Sequence, residues 1–388
     1  MRILYHHRTA ARDGMSVHIE ELVAALRAQG HEVLVVGPTS AEGNQAGKLE
    51  SLLDRVRQVL PGAVFELLEF AYNIPAYLKL RRAYRSFKPD FLYERYNLYL
   101  RAGLWLKRRY KVPMILEVNS PLAQERIKQG GLAFRRLAQH FEESIWGEAD
   151  AVLPVTNVLA DIIARTRQTR DGIFVIPNGV DLARFGAIVA RDLAKHRLGL
   201  DQSVVLGFTG FIRPWHGLEW AIEALSSLPR NVHLLVVGDG PAREALETQA
   251  REAQVSERVH FVGRVDHTQI TAYMNAFDIA LQPRAVAYAS PLKLFEYMAL
   301  ALPVIAPDQP NIREILKHNE TALLFDPASK QAFMDCINSL CSDPALGPRL
   351  GKAARVAIET IPYTWQHNAA RVAEIGAGLQ AKRTQPAE

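Results

Sequence analysis

Apolar and polar positions along this chain alternate between two periods. Ile3, Leu4 and Tyr5 form a short apolar run that predicts an opening strand, and a loop containing Gly14 follows. Met15, Ile19, Leu22, Val23 and Leu26 then recur at helical spacing. They predict an amphipathic helix that stops near Gly30, where a glycine just past the last turn is the usual terminator. Residues 32–36 predict a second strand. Strand, helix and strand in that order make a βαβ unit, which builds parallel sheets. The pattern begins again near mid-chain, with a strand at 204–208, a loop at 210–217, a helix at 218–228 and a strand at 232–237. Two starts of one pattern in 388 residues predict an α/β chain of two doubly wound domains. The boundary is expected after the turn NGVD (178–181) and before about residue 200.

The run SPLKLFEYMA (290–299) reads as a further helix, with Ser290 as N-cap and Pro291 in the first turn. Leu292, Phe295, Met298 and Ala299 form its apolar stripe, and residues 304–306 read as a buried strand after it. Lys293 and Glu296 are three apart and share a face. A helix N-terminus suits a phosphate, Lys293 adds a full charge there, and Glu296 can accept hydrogen bonds from hydroxyls. Such a face suits a phosphorylated sugar; a surface Lys–Glu pair on an amphipathic helix has the same spacing. Near the end of the chain Trp365, Val372, Ile375 and Leu379 predict one more packed helix.

Composition narrows the class. Hydrophobic residues make up 48% and charged residues 22%, as in a soluble globular protein. No apolar run approaches the ~18 residues of a membrane span, and the first residues lack a signal-peptide core, so a cytoplasmic protein is expected. The two cysteines, Cys336 and Cys341, fit no metal spacing, and no disulfide is expected. Neither HExxH, GxSxG, GxxxxGK[ST], a CxxC pair nor a clear DxD occurs, so metalloprotease, serine hydrolase and P-loop chemistry lack their residues. No metal site is expected.

Net charge is +5 and uneven. Residues 79–111 hold eleven Lys and Arg against Asp90 and Glu94, with Tyr77 just before them and Tyr84, Tyr96, Tyr99, Leu104 and Trp105 among those interleaved. Such a segment can lie on anionic lipid headgroups, giving a peripheral protein on the inner face of a membrane. A solvated helix face is the plainer reading. Basic aromatic segments also bind nucleic acid, but no nucleic-acid partner is expected here.

Ligands of open parallel sheets sit at the carboxyl ends of the strands. In the first domain those loops carry His6, His7, Gly14, Glu117 and Asn119; in the second they carry 210–217, 238–240, 263–265 and 284–291. Within TGFIRPWHG (209–217), Gly210 allows close backbone approach and Arg213 can fork onto a phosphate. VVGDGP (236–241) has two glycines of a dinucleotide fingerprint and lacks the third, so nicotinamide binding is not expected. Each motif alone is compatible with an ordinary βα loop.

In order, the motifs GHEV (30–33), YERY (93–96), LEVNSP (116–121), VIPNGVD (175–181), FTG (208–210), VVGDGP (236–241), FVG (261–263) and 290–307 resemble the retaining glycosyltransferases of family 4 over nearly the whole chain. The resemblance implies the GT-B fold of two facing Rossmann-like domains with a deep cleft between them. It implies an acceptor-binding domain at 1–183, a donor-binding domain at 184–362, a helix at 363–381 returning to the first domain and a disordered tail at 382–388. It implies transfer of a sugar from a nucleoside-diphosphate sugar, without a metal or other cofactor, with UDP-sugars favoured over GDP- or ADP-sugars. The acceptor would be a glycan, a lipid-linked precursor or a small molecule. A hinge near 181–200 would let the domains close on the donor.

Residue by residue, Glu296 matches the second glutamate of the family's E-x7-E motif and would hold the donor's ribose hydroxyls. Arg213 matches the loop arginine at the diphosphate. His216 stands where a lysine is usual, so Lys293 is expected to supply that charge. Gly14, Gly210, Ser290, Pro291 and Leu292 match donor-side positions, and Val265 matches the backbone contact to the base. His7 and Asn119 fall on the acceptor side, Asn119 near the place of a frequent active-site histidine. Arg213, Lys293 and Asn119 are the expected catalytic residues. The first glutamate of E-x7-E would fall at Tyr288, which puts the sugar's identity in doubt and leaves open a catalytically silent sugar-nucleotide-binding or scaffold protein.

Overall fold

The computed structural model describes residues 1–9, 14–38, 62–128, 130–186, 189–266, 268–361 and 363–384. They form two units, Met1–Pro177 with the C-terminal helix from Trp365, and Asn178–Thr364.

The first unit is a five-stranded parallel sheet in the order β2-β1-β3-β4-β5, with β1 Arg2–His6, β2 Glu32–Val36, β3 Phe91–Arg95, β4 Met114–Val118 and β5 Ala151–Pro154. The expected opening helix spans Gly14–Ala28, with Ile19, Leu22, Val23 and Leu26 buried. Gly30 adopts φ +81° and donates to Arg27 O at 3.0 Å, while His31 donates to Leu26 O at 3.2 Å. That pair of bonds is a Schellman ending, and the positive φ is why a glycine stands there. The loop before this helix, residues 10–13, lies outside the described residues.

The C-terminal helix, Trp365–Thr384, packs on Gly14–Ala28. Trp365, Val372 and Ile375 are buried as the pattern predicted, while Leu379 is only half-buried. A Cβ on Gly376 would stand 2.3 Å from the Phe91 ring, so a glycine is needed for the helix to reach the sheet. The helix continues through Thr384, so residues 382–384 are not the disordered tail expected there. Lys382 and Arg383 occupy its last turn, where cations favour the helix dipole.

The chain enters the second unit at Asn178, earlier than the expected boundary at 184. Val180 explains the difference: its N–H donates to Tyr363 O at 3.0 Å, and its side chain is buried in that unit's core with Phe185. The expected hinge, 181–200, includes residues 187 and 188, which lie outside the described residues.

The second unit is a six-stranded parallel sheet ordered β11-β10-β9-β6-β7-β8. Its strands are β6 Val204–Thr209, β7 Val232–Val237, β8 Val259–Gly263, β9 Ile279–Leu281, β10 Val304–Pro307 and β11 Leu323–Phe325. Helices cover both faces, so β10 and most of β7 read as continuous apolar runs. The expected helix near 290 spans Leu292–Ala299, and Leu294 through Ala299 are all buried, Glu296 included. It is not amphipathic as its stripe suggested, because the helix Leu346–Thr360 packs over it. Pro291, not Ser290, is its N-cap, and no side chain caps it. The Ser290 hydroxyl instead accepts from Asn178 N at 3.3 Å, while Asn178 Nδ2 donates to Ser290 O at 2.5 Å.

The segment 79–111 is not one surface. Tyr96, Tyr99 and Leu104 are core residues, and Arg95 is buried. Arg101 and Arg108 pair with Glu148, and Lys107 with Asp150. The exposed cations are Lys79, Arg82 and Arg85 on the helix Asn73–Phe87, Lys88 just past it, Arg108 (despite its pairing) and Arg109 in the last turn of the helix Ala102–Tyr110, and Lys111 at its end.

Candidate functional site

In the second unit the chain runs from β6 outward through β7 and β8 on one side, and through β9, β10 and β11 on the other. The reversal between β6 and β9 leaves a crevice outside their carboxyl ends, the usual ligand position of such sheets. The loops after β6 and β9 flank it. They are tied together by Arg284 N donating to His216 O at 3.1 Å. Asn311, fully buried, donates to Val286 O at 3.1 Å and Ala289 O at 2.7 Å and so fixes the second loop. Gly210 has φ +119° and Gly238 has φ +145°, and a Cβ on Gly238 would stand 2.0 Å from Gly210 O. Only glycine lets these two backbones meet.

Three of the expected residues converge on this crevice. Lys293 Nζ lies 3.5 Å from the centroid of the Phe208 ring, at the end of β6. It is buried and has no hydrogen-bond partner among the described residues. A Cβ on Gly210 would be 3.5 Å from it. Burial pushes its pKa down to about 7, with the Glu296 carboxylate opposing. The His216 ring lies 5.4 Å from the Phe208 ring. Burial, then the neighbouring charges of Lys293 and Arg213, push its pKa down to about 3 and keep it neutral. Arg213 lies over the rings of Phe211 at 4.8 Å and Trp215 at 5.1 Å. Tyr297, next to Glu296, locks its helix to β6 by accepting from Thr209 N at 3.0 Å.

The other expected donor-side residues are less central. Ser290 spends its hydroxyl on the Asn178 backbone. Pro291 and Leu292, half-buried, begin the helix that carries Lys293. Val265 follows β8, two strands from β6, and packs against the core. Tyr288 lies half-buried in the loop after β9. Phe208, whose ring lies against the Lys293 ammonium, enters the sequence only as the first residue of the motif FTG (208–210), with nothing there to show that contact.

In the first unit the reversal falls between β1 and β3. His7 follows β1, and its ring fills the space a Cβ on Gly37 would need, at 2.5 Å. Burial and the adjacent His6 push its pKa down to about 4. His6 meets Glu94 at 2.5 Å, both buried. Asn119 follows β4, two strands from His7 in the sheet, and its Nδ2 donates to Glu117 Oε1 at 2.5 Å. Gly14 opens the helix Gly14–Ala28.

Glu117 is a hub rather than a ligand contact. It accepts from Tyr93 OH at 2.8 Å and from Arg95, and lies 3.1 Å from His18 Nε2. Burial alone would raise its pKa, but Arg95 and His18 outweigh it and hold the carboxylate well below its usual range. The sequence signal was a single acid in the apolar strand MILEV beside the arginine of FLYER; His18 gave none.

Among the described residues no group of three or more His, Cys, Asp or Glu side chains could hold a metal ion, and no helix is long and apolar enough to cross a membrane.

Two family models match the chain: Glycosyltransferase Family 4 over residues 12–184 and Glycosyl transferases group 1 over 191–357. The chain is 24% identical to a glycogen synthase of Mycobacterium tuberculosis over 412 aligned positions, covering 100% of this chain and 97% of that protein. Its structure is similar to that of sucrose-phosphate synthase from Thermosynechococcus elongatus, with TM-score 0.80, 21% identity and 98% and 100% of the two chains covered. It is also similar to Anabaena HepE in complex with UDP-glucose, with TM-score 0.76, 18% identity and 97% and 100% covered. The two parallel α/β sheets, the matched halves and these similarities agree: the chain belongs to the family 4 glycosyltransferases of the GT-B fold and is an enzyme of that type.

Proposed function

We propose that the crevice between β6 and β9 takes a nucleoside-diphosphate sugar and that the chain transfers the sugar with retention of configuration. The observation that carries this reading is the buried Lys293 ammonium, unpartnered beside Phe208 and Gly210. A buried cation without a partner is costly, and a diphosphate would supply the missing charge. Arg213 adds a second cation from the facing loop, and Glu296 holds the ribose hydroxyls. The neutral His216 leaves Lys293 as the charge on this side. A uridine nucleotide is favoured, supported by HepE having been solved with UDP-glucose.

In the reaction the bond from the sugar's anomeric carbon to the phosphate oxygen breaks. The nucleoside diphosphate leaves with the electron pair, and an acceptor hydroxyl attacks from the same face. Its proton passes to the departing phosphate oxygen. Positive charge at that phosphate is the main requirement, so Lys293 and Arg213 are the catalytic residues. Asn119, fixed by Glu117, and His7 are assigned to the acceptor, a glycan, lipid-linked or small-molecule hydroxyl. No metal enters this scheme.

Release of nucleoside diphosphate from a nucleotide-sugar, dependent on added acceptor, tests the reading. Tyr288 at the place of a sugar-binding glutamate motivates the second reading, a protein that binds the nucleotide-sugar without turnover. Tight binding with no release would select it.

A further inference from the structure

Among the described residues, exposed large apolar side chains are densest over one stretch of the sequence. Among the described residues, six of the fourteen exposed large apolar side chains fall between positions 64 and 78: Val64, Leu67, Leu68, Phe70, Ile74 and Leu78. Four of them are more than half exposed, Leu67 at 58%, Leu68 at 51%, Ile74 at 61% and Leu78 at 54%. They lie on two consecutive helices of the first unit, Gly62–Ala71 and Asn73–Phe87. Side chains of this size rarely gather in water without an apolar partner.

Charge says which partner. On Asn73–Phe87, Ile74, Leu78, Arg82 and Arg85 follow one another at intervals of four, four and three, so the apolar face continues into a basic one. Lys79 and Lys88 are exposed as well. That helix contains no acid. The two acids of Gly62–Ala71 are both turned to other uses: Glu66 is buried, accepting from Tyr99 OH at 2.5 Å, and Glu69 pairs with Arg126 at 2.8 Å. The exposed face therefore pairs apolar side chains with cations and has no carboxylate from either helix to repel an anionic surface.

Its place in the unit matters too. Arg8, just past the end of β1, lies over the Tyr72 ring at 4.6 Å and 3.8 Å from Glu69. The apolar end of the face thus borders the carboxyl ends of the strands, and the basic end points away from them.

We propose that the first unit docks on an anionic lipid bilayer through this face, with Leu67, Leu68, Ile74 and Leu78 among the acyl chains and Lys79, Arg82 and Arg85 at the headgroups. Apolar burial and headgroup attraction are the two contributions that hold interfacial helices on membranes. The docking itself stands on the exposed face alone. Its consequence, that the acceptor hydroxyl belongs to a lipid-linked molecule presented at that bilayer, rests on the transferase reading.

Cosedimentation of the full chain with vesicles tests it, using phosphatidylcholine alone and with roughly one-third phosphatidylglycerol at ~0.05 M salt, where surface charge is weakly screened. Partition onto the anionic vesicles should exceed that onto the neutral ones by about tenfold or more. Lys79→Gln/Arg82→Gln/Arg85→Gln should lower it by about tenfold or more, and so should Leu67→Asn/Ile74→Asn/Leu78→Asn. All six positions are exposed or lie on the helix surface, and an unchanged melting curve would show both variants folded. Absence of wild-type binding, or variants that bind as the wild type does, would overturn the proposal. So would a wild-type dimer that the apolar variant splits while neither protein binds vesicles, which would make the face a self-interface. Nucleotide-sugar binding measured in parallel separates the two readings: a chain that binds donor but not vesicles contradicts this proposal and leaves the transferase reading standing.

Discussion

Lys293 Nζ stands 3.5 Å from the centre of the Phe208 ring, buried and without a hydrogen-bond partner among the described residues. An aromatic face attracts a cation but satisfies none of its three N–H donors. The arrangement is a cation site waiting for an anion, and it fixes the sign of a pH dependence.

Burial holds the Lys293 pKa down to about 7 in the free chain. A diphosphate favours the ammonium, so in the complex the proton stays on to higher pH. Above about pH 7, binding must then take up a proton, and donor affinity should fall by up to about tenfold per pH unit. Lys293→Met should weaken binding and remove that slope. The free variant should also be more stable than the wild type at pH 6, since it no longer buries a charge, with the difference shrinking as pH rises past 7. Calorimetric titrations in buffers of different ionisation enthalpy read the proton uptake. A wild-type affinity constant from pH 6 to 9 would refute the assignment.

His216 and Lys293 both stand beside Phe208, so their roles should be exchangeable. Lys293→Met alone should cost on the order of 1.5–3 kcal/mol of donor binding, the range for hydrogen bonds to a charged group. Adding His216→Lys should restore most of it. Donor titration of the single and double variants checks this, and a double variant no better than Lys293→Met would show that position 216 cannot reach the diphosphate.

Glu117 should matter to the stability of the first unit and not to the second unit's ligand. Glu117→Gln leaves Arg95 and His18 without their carboxylate, a change expected to cost about 3–5 kcal/mol. Because its pKa is depressed on folding, its contribution is complete above the ordinary carboxylate range and is lost as pH falls below it. The variant's stability deficit should therefore be largest at neutral pH and shrink in acid, read from denaturant unfolding. A deficit independent of pH would mean the loss is one of packing.

Much of the fold was legible because period alone separates buried strands from helices. The opening strand, the helix closed by Gly30 and the restart at β6 all follow from spacing. The stripe of Leu292–Ala299 marks one apolar face, but a sequence does not show that a distant segment, Leu346–Thr360, covers its other side. Ser290 has the residue type and position of a cap, but its hydroxyl's partner, Asn178, lies more than a hundred residues away. The same limit hid Phe208 under Lys293 and His18 beside Glu117. Of the residues that meet at the crevice, Arg213, His216 and Lys293 are all visible in the sequence through their motifs. Val265, matched to the base position by resemblance, follows β8, two strands from β6. Charge counts over 79–111 carry no burial, so they do not show that Arg95 and Tyr99 lie inside.

A nucleotide-sugar held in the second unit by Lys293 and Glu296 should stabilise the folded chain. Thermal melting of the wild type, Lys293→Met and Glu296→Ala against UDP-, GDP- and ADP-sugars tests it most directly. A donor present at ~100 times its Kd adds about 2.7 kcal/mol to the wild type, so one nucleotide class should raise its melting temperature. The same concentration should give a much smaller rise in each variant. No rise with any of the three classes, or a full wild-type rise in both variants, would contradict the claim.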